Sequence, residues 1–362
     1  MDKRIFETLQ ARTPWTLANR AMKRSGLNGA QGWDGAIEKH KDADNPAAET
    51  TLKELLRQHA LCGEKMTKFY PASAEVLAAL REAIGNLEVA DHPFTAGFPM
   101  VLSEEELLEV DSEPVLVSIE KSDDGIGAVY SAMIKLTSRE EIPIGELFED
   151  PEEVKERYDE VIGLKFQAVQ LFNVIWVPHH DDFVEIRTDF PKGMKQELAH
   201  ELQSQYKSFA NSMLQEPELS DPLDLFPLIE AMYEDAKEGT VVELSFKTST
   251  ASIKNEKMRR TRLCLREELY HKGGKEALDT KIEPFKVSIR WEFQSEGQDY
   301  QPELTLAGTS RGRQTMVGTA KGQLVSGAVI KNCIGSVDYE HVKERLVYHL
   351  GNIEEEQPNL VW

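Results

Sequence analysis

Cysteine is scarce in this chain: there are three, Cys62, Cys264 and Cys333, and they lie far apart. An odd number with no zinc-type spacing excludes a disulfide framework and a cysteine-rich metal site, and fits reduced thiols in a cytoplasmic protein. The chain also lacks any run of about 18 uncharged apolar residues, the length a membrane-spanning helix needs. Its first residues, MDKRIFETLQARTPW, carry charges where a secretory leader has an apolar stretch. No G-x-x-x-x-G-K-[ST] loop, no Rossmann glycine fingerprint after a strand and no kinase signature occurs, which argues against the common nucleotide-driven enzymes. Basic residues are few as well. Lys and Arg number 42 against 63 Asp and Glu, a net charge of −21, so the long-range field repels DNA and anionic lipid.

What charge there is, is segregated. Residues 101–240 hold 33 acidic and 11 basic side chains, residues 241–330 hold 15 basic and 11 acidic, and residues 1–100 hold 13 of each. A chain of 362 residues is long enough for two or three domains. The divisions this suggests are a helical N-terminal region (1–100), an acidic α+β domain (101–240) and a β-rich α+β domain with a basic helix (241–362). The fold class expected is α+β, a helical N-terminal region followed by two mixed or antiparallel sheet modules with flanking helices.

Periodicity places the elements. Leu52, Leu55, Leu56, Ala60 and Leu61 keep helical spacing, as do Val76, Leu77, Leu80, Ala83, Ile84 and Leu87. PVLVSIE (114–120), GAVYSAMIKL (127–136), LKFQAVQLFNVIWV (164–177) and FVEIRTD (183–189) read as strands, the last two as a hairpin with its tip at 178–182. A helix opens near Asp189 and Pro191, its stripe running through Met194, Leu198, Leu202, Tyr206, Phe209 and Met213. A second runs from about Pro222 to Lys237. TVVELSFKT and FKVSIRWEF are strands, and HVKERLVYHL (341–350) is a closing helix.

Between those last strands lies the densest basic segment. Lys254, Lys257, Arg259, Arg260, Arg262, Arg266, His271, Lys272 and Lys275 fall in KNEKMRRTRLCLREELYHKGGK, which reads as one helix stopped by Gly273 and Gly274. Arg259, Arg262 and Arg266, spaced three and four apart, share a face, and a row of guanidinium forks suits phosphate. The competing reading is that this helix pairs with the acidic segment, inside the protein or across a homo-oligomer. Arg266 followed by His271 resembles the ribonuclease motif of HEPN domains, although the flanking strands do not suit an all-helical bundle.

Three other groupings carry chemistry. His179, His180, Asp181 and Asp182 cluster at the expected hairpin tip, and imidazole with carboxylate suits a divalent metal such as Zn, Mn or Mg, although a polar turn is their ordinary explanation. Gly308-Thr-Ser310-Arg-Gly312 matches the G-x-S-x-G nucleophile elbow, but a glycine-rich strand-like stretch follows where an elbow needs a helix. Gly318-Thr-Ala-Lys-Gly322 repeats that shape, so the pair reads as a repeated turn that presents Arg311, Arg313 and Lys321 as further phosphate-binding cations. The acidic run Glu104–Glu106, Glu109, Asp111 and Glu113 reads as a solvated face.

The function expected is a cytoplasmic binding or regulatory protein. Its basic C-terminal module would engage nucleic acid or a phosphorylated ligand through residues 254–275, and its acidic middle would restrain that module or recruit a protein partner. The alternatives are a metal-dependent phosphodiesterase or nuclease at the His/Asp cluster, and a serine hydrolase at Ser310.

Overall fold

The structure, a computed structural model, describes residues 1–41, 44–141, 161–215, 218–259, 263–309 and 325–356. Four helices open the chain: α1 (Lys3–Arg12), α2 (Trp15–Arg24), α3 (Gly32–His40) and α4 (Pro46–Cys62). Asp2 caps α1 by accepting from the Arg4 amide, and Asn45 caps α4 by accepting from the Ala48 amide. Their apolar stripes meet in a small core that includes Ile5, Phe6, Met22, Leu52 and Leu56.

Next come β1 (Lys65–Pro71), α5 (Ala74–Gly85), α6 (Pro93–Gly97) and α7 (Glu104–Glu109). Ser103 and Glu106 close the start of α7 with a capping box. The middle of the chain supplies β2 (Val115–Ser122), β3 (Gly125–Glu141), β4 (Ile162–Pro178), β5 (Phe183–Asp189), α8 (Gln196–Ser212) and α9 (Phe226–Glu234). The C-terminal part supplies β6 (Thr240–Lys247), β7 (Ile253–Lys257), a 3-10 turn (Leu265–Glu267) and α10 (Leu269–Glu276). It ends with β8 (Glu283–Arg290), β9 (Phe293–Ser295), β10 (Gln298–Tyr300), β11 (Glu303–Ala307), β12 (Ala328–Lys331) and α11 (Ser336–Glu356). Among the described residues no helix is long and apolar enough to cross a membrane.

The class is α+β, and the sheet is antiparallel. Among the described residues its order is β2-β3-β4-β5-β1-β12-β11-β8-β6-β7, with β9 and β10 as a separate hairpin. The two expected sheet modules are therefore the halves of one sheet. Strand β1 joins them, pairing with β5 on one edge and β12 on the other. It comes from the region read as wholly helical, so residues 1–100 supply a central strand as well as helices. The hairpin expected at 178–182 is present, β4 ending at Pro178 and β5 starting at Phe183. The helix expected from Asp189 starts later, at Gln196, and the one expected from Pro222 starts at Phe226.

Strand alternation sorts the core onto two faces. Phe172, Val174 and Trp176 of β4 join Val287, Ile289, Leu304 and Ile330 on the face covered by α9 and α11. Ile175 and Val177 join Val184 and Ile186 on the other face, under α5 and α8. Each fully buried side chain of this size contributes about 1.5–3 kcal/mol. The glycines of β3 have a packing reason: a Cβ at Gly127 would come within 2.5 Å of the Trp176 indole, and one at Gly125 within 2.9 Å.

A buried charge cluster ties β1 to β4, β5 and α1. Lys65 and Asp189, cross-strand partners in the β1–β5 ladder, make an ion pair of 2.6 Å, and Arg12 of α1 reaches the same carboxylate at 2.8 Å. The Phe172 amide donates to Asp189 at 2.6 Å and Lys65 donates to the Phe172 carbonyl. Burial would raise the Asp189 carboxyl, but Arg12 and Lys65 hold it below the usual range. Burial pulls Lys65 down to about 8 even with Asp189 beside it. Nearby, Arg187 donates to Glu185 at 2.9 Å, the Tyr339 hydroxyl donates to Glu185 at 2.7 Å, and Lys343 pairs with Asp181 at 2.7 Å.

Candidate functional site

The basic segment does not form one helix. Ile253–Lys257 pairs with β6 as an edge strand, in register Glu243↔Lys257 through Lys247↔Ile253. A 3-10 turn and α10 follow, and α10 runs through Gly273 and Gly274 rather than ending at them. The reason is tertiary: strand pairing at β6 satisfies the backbone of 253–257 and overrides helix propensity there. Arg259 and Arg266 thus do not share a helix. Arg260 and Arg262 lie outside the described residues, as do Ser310, Arg311, Arg313 and Lys321.

The described cations of this segment divide by role. Arg266 is internal. Its Nε donates to the Tyr233 carbonyl at 2.7 Å, Nη2 to Met232 at 2.7 Å, and Nη1 to Glu238 and Gly239 at 3.0 and 2.9 Å. The guanidinium so caps the C-terminal carbonyls of α9 and clamps the turn into β6. Lys257 pairs with Glu243 at 2.8 Å. Lys254, Arg259 and Lys272 are exposed and make no ion pair among the described residues.

Where α10 folds back onto α9, a chain of four side chains forms. Lys275 Nζ donates to the Tyr233 hydroxyl at 3.1 Å, and that hydroxyl lies 2.8 Å from His271 Nε2. His271 Nδ1 is 2.5 Å from Glu256 Oε2, across β7. A carboxylate accepts only, so Nδ1 carries the proton and Nε2 accepts from Tyr233. Glu268 fixes the start of α10 by accepting from the His271 amide at 2.7 Å. The rings of Tyr233 and Phe246 enclose the imidazole, edge-on at 6.0 and 5.7 Å, and leave it 3% exposed.

This chain reaches solvent through Lys275. Tyr233, Arg266, Lys272 and Lys275, with Glu234 and Glu276, line an open pocket of about 310 Å³. Lys272 and Lys275, three apart on α10, share one face of it. Burial pushes the Tyr233 hydroxyl above its ordinary value, against the opposing pull of Lys275. Burial pulls Lys275 down, yet its bonds and charge contacts with Tyr233 and Glu234 carry it above the ordinary lysine value. The pocket therefore presents two ammonium groups, with the buried Tyr233 hydroxyl, its histidine and its carboxylate behind Lys275. Such a set can hold an anion.

The hairpin-tip cluster is arranged differently. His179, His180 and Asp182 are exposed, and the two rings sit 6.4 Å apart. Asp181 is engaged by Lys343. Among the described residues the grouping with metal-ligand proximity is Asp235, Glu238 and His349 instead. Glu238 there already accepts from Trp291 at 2.7 Å, from His349 at 2.6 Å and from Arg345 on both oxygens. A cation would have to displace a guanidinium, so this is a buried ion-pair cluster that holds the 235–239 turn.

Sequence reasoning reached Arg266, His271, Lys272 and Lys275 through charge density but missed Tyr233 and Glu256. These are 38 and 15 residues from His271. Nothing local marks them, since Tyr233 sits in an apolar helix stripe and Glu256 in a basic run. Comparison with protein-family models, curated proteins and solved structures returns no match for this chain.

Proposed function

We propose that this protein binds a small phosphorylated ligand in the pocket between α9 and α10, in the reducing setting that its three free cysteines suit. The observation that carries the reading is the pair Lys272 and Lys275 on one helix face at the mouth of a 310 Å³ pocket walled by Arg266 and Tyr233. A phosphate is an acceptor with several oxygens, and ammonium donors are its natural partners. Size also favours a small ligand: a net charge of −21 repels a long polyanion at distance but is screened for a group already inside a pocket.

A second reading rests on a separate observation. Leu269 and Tyr270 are 86% and 75% exposed beside Lys272, with Lys254 and Arg259 also free of ion pairs among the described residues. An exposed aromatic among cations is a stacking platform for a nucleotide base, which would extend the ligand class to single-stranded nucleic acid.

Calorimetric titration with inorganic pyrophosphate tests the first reading. Wild-type protein should bind, and Lys272→Glu should weaken binding roughly 10–100-fold, the loss of one charge-assisted bond and its replacement by repulsion. Absence of binding to the wild-type protein, or equal affinity in the variant, would overturn it. The same titration with a short single-stranded oligonucleotide, against Tyr270→Ala, decides the second reading.

A further inference from the structure

We propose a second binding site, independent of the pocket between α9 and α10: the cleft where α4, the β2–β3 turn and α11 meet over Trp176 and Arg187 takes a small zwitterionic amino acid. The cleft holds about 70 Å³, room for roughly five water-sized groups, which suits glycine or alanine. Leu61 and Cys62 of α4 form one wall, Ser122 and Asp124 of the β2–β3 turn a second, and Glu340 of α11 a third. Trp176 and Arg187, 5% and 1% exposed, complete the lining. The two sites share no residue.

Two buried donors select the carboxylate. The Arg187 guanidinium stacks 4.9 Å from the centre of the Trp176 ring. Its Nε donates to Glu185 at 2.9 Å, and Nη1 points at the Leu61 carbonyl and the Cys62 sulfur, 3.5 and 3.6 Å away. Nη2 has only a Glu340 oxygen at 3.8 Å, an ion pair too long for a hydrogen bond. Leu61, Cys62 and Glu340 all line the cleft, so the terminal nitrogens are aimed into it. The Trp176 Nε1–H also lacks an acceptor among the described residues. Its edge of the indole faces the β2–β3 turn, since a Cβ at Gly125 would lie 2.9 Å from Nε1. A buried donor left unpaired costs about 1–3 kcal/mol, and a carboxylate offers an oxygen to each of these two.

The acidic walls select the other end of the ligand. A bare anion would meet Asp124 and Glu340. The neighbouring Glu120 is already held by Arg57, but Glu340 gives only one oxygen to Lys343 and Asp124 is exposed at the rim, as is Lys121. Burial and the nearby Glu185 raise the Glu340 carboxyl, and a cation beside it relieves both effects. An α-ammonium supplies that cation and leaves the ligand neutral overall, so the net charge of −21 does not repel it.

Nitrogen-15 spectra of the indole N–H groups read this site directly. The chain has five tryptophans, and Trp176→Phe identifies the Trp176 signal by its loss. Titration with glycine should move that signal to saturation and leave the other four in place. Acetate lacks the ammonium and ethylamine lacks the carboxylate, so each should bind roughly tenfold more weakly or worse. Glu340→Gln should weaken glycine binding by roughly tenfold, the loss of one charge-assisted bond. Asp124→Asn, on the exposed turn, should weaken it in the same direction and serves if Glu340→Gln disturbs the fold. A Trp176 signal that stays put with both glycine and alanine would overturn the proposal. Acetate binding as tightly as glycine, or all five signals moving together, would overturn it too.

Discussion

Asp189 and Tyr233 each gather partners around a buried oxygen, yet their surroundings differ. At Asp189, the side chains of Arg12, Lys65 and Asp189 are 7%, 0% and 4% exposed. At Tyr233, the chain passes from a buried imidazole to Lys275, which is 38% exposed and borders a pocket. Both are hydrogen-bonded networks of charged groups assembled from segments distant in sequence. The first seats two cations on one buried carboxylate and has no entry, so its consequence is which strands pair. The second leaves the Lys275 ammonium bordering a pocket, so it has something to offer a ligand. Accessibility separates the two more sharply than charge, distance or pKa does.

Four changes would break or sharpen that contrast. Asp189→Ala leaves two buried cations uncompensated and should cost about 3–5 kcal/mol, measured by urea denaturation. A loss under about 1 kcal/mol would show the cluster to be no tie between β1, β5 and α1. Arg266→Ala strands carbonyls at the end of α9 and should cost about 2–3 kcal/mol, with Arg266→Lys restoring little because an ammonium cannot span four acceptors. Recovery by lysine would mean the fork geometry is unimportant.

Glu238 gives a pH signature. Burial alone would raise its carboxyl, but His349, Arg345 and Trp291 outweigh that and hold it at about 2, against an ordinary 4.5. A carboxyl depressed in the folded state stabilises above its unfolded value and loses that contribution as pH falls through the folded one. Wild-type stability should therefore drop between pH 4.5 and about 2, and the drop should be shallower in Glu238→Gln, by urea midpoints across that range. Identical slopes would contradict the assignment. The smallest effect on folding is expected at Lys272→Glu, within about 0.5 kcal/mol, because that side chain is exposed and unpaired among the described residues.

Much of the fold was legible because one physical signal dominated each element. The β4–β5 hairpin declared itself through a long apolar run, a polar tip and clean alternation. Strand β1 did not, because KMTKFYP buries Lys65 and Lys68 where a strand reading expects apolar residues. Lys65 makes sense only with β5 and Asp189 beside it. The basic segment misled for the converse reason: its spacing suits a helix, and only pairing with β6 turns 253–257 into a strand. The site was half visible, since charge density marks Lys272 and Lys275. The Tyr233–His271–Glu256 chain depends on tertiary contact between α9, α10 and β7, and no local pattern carries that.

Amide hydrogen exchange with and without saturating pyrophosphate tests the central contrast most directly, since it reads both networks in one sample. Protection should increase over 232–239 and 266–276, while the amides of 65–71 and 184–189 exchange unchanged. Protection confined to β1 and β5, or to neither network, would contradict the assignment of the ligand site to the open one.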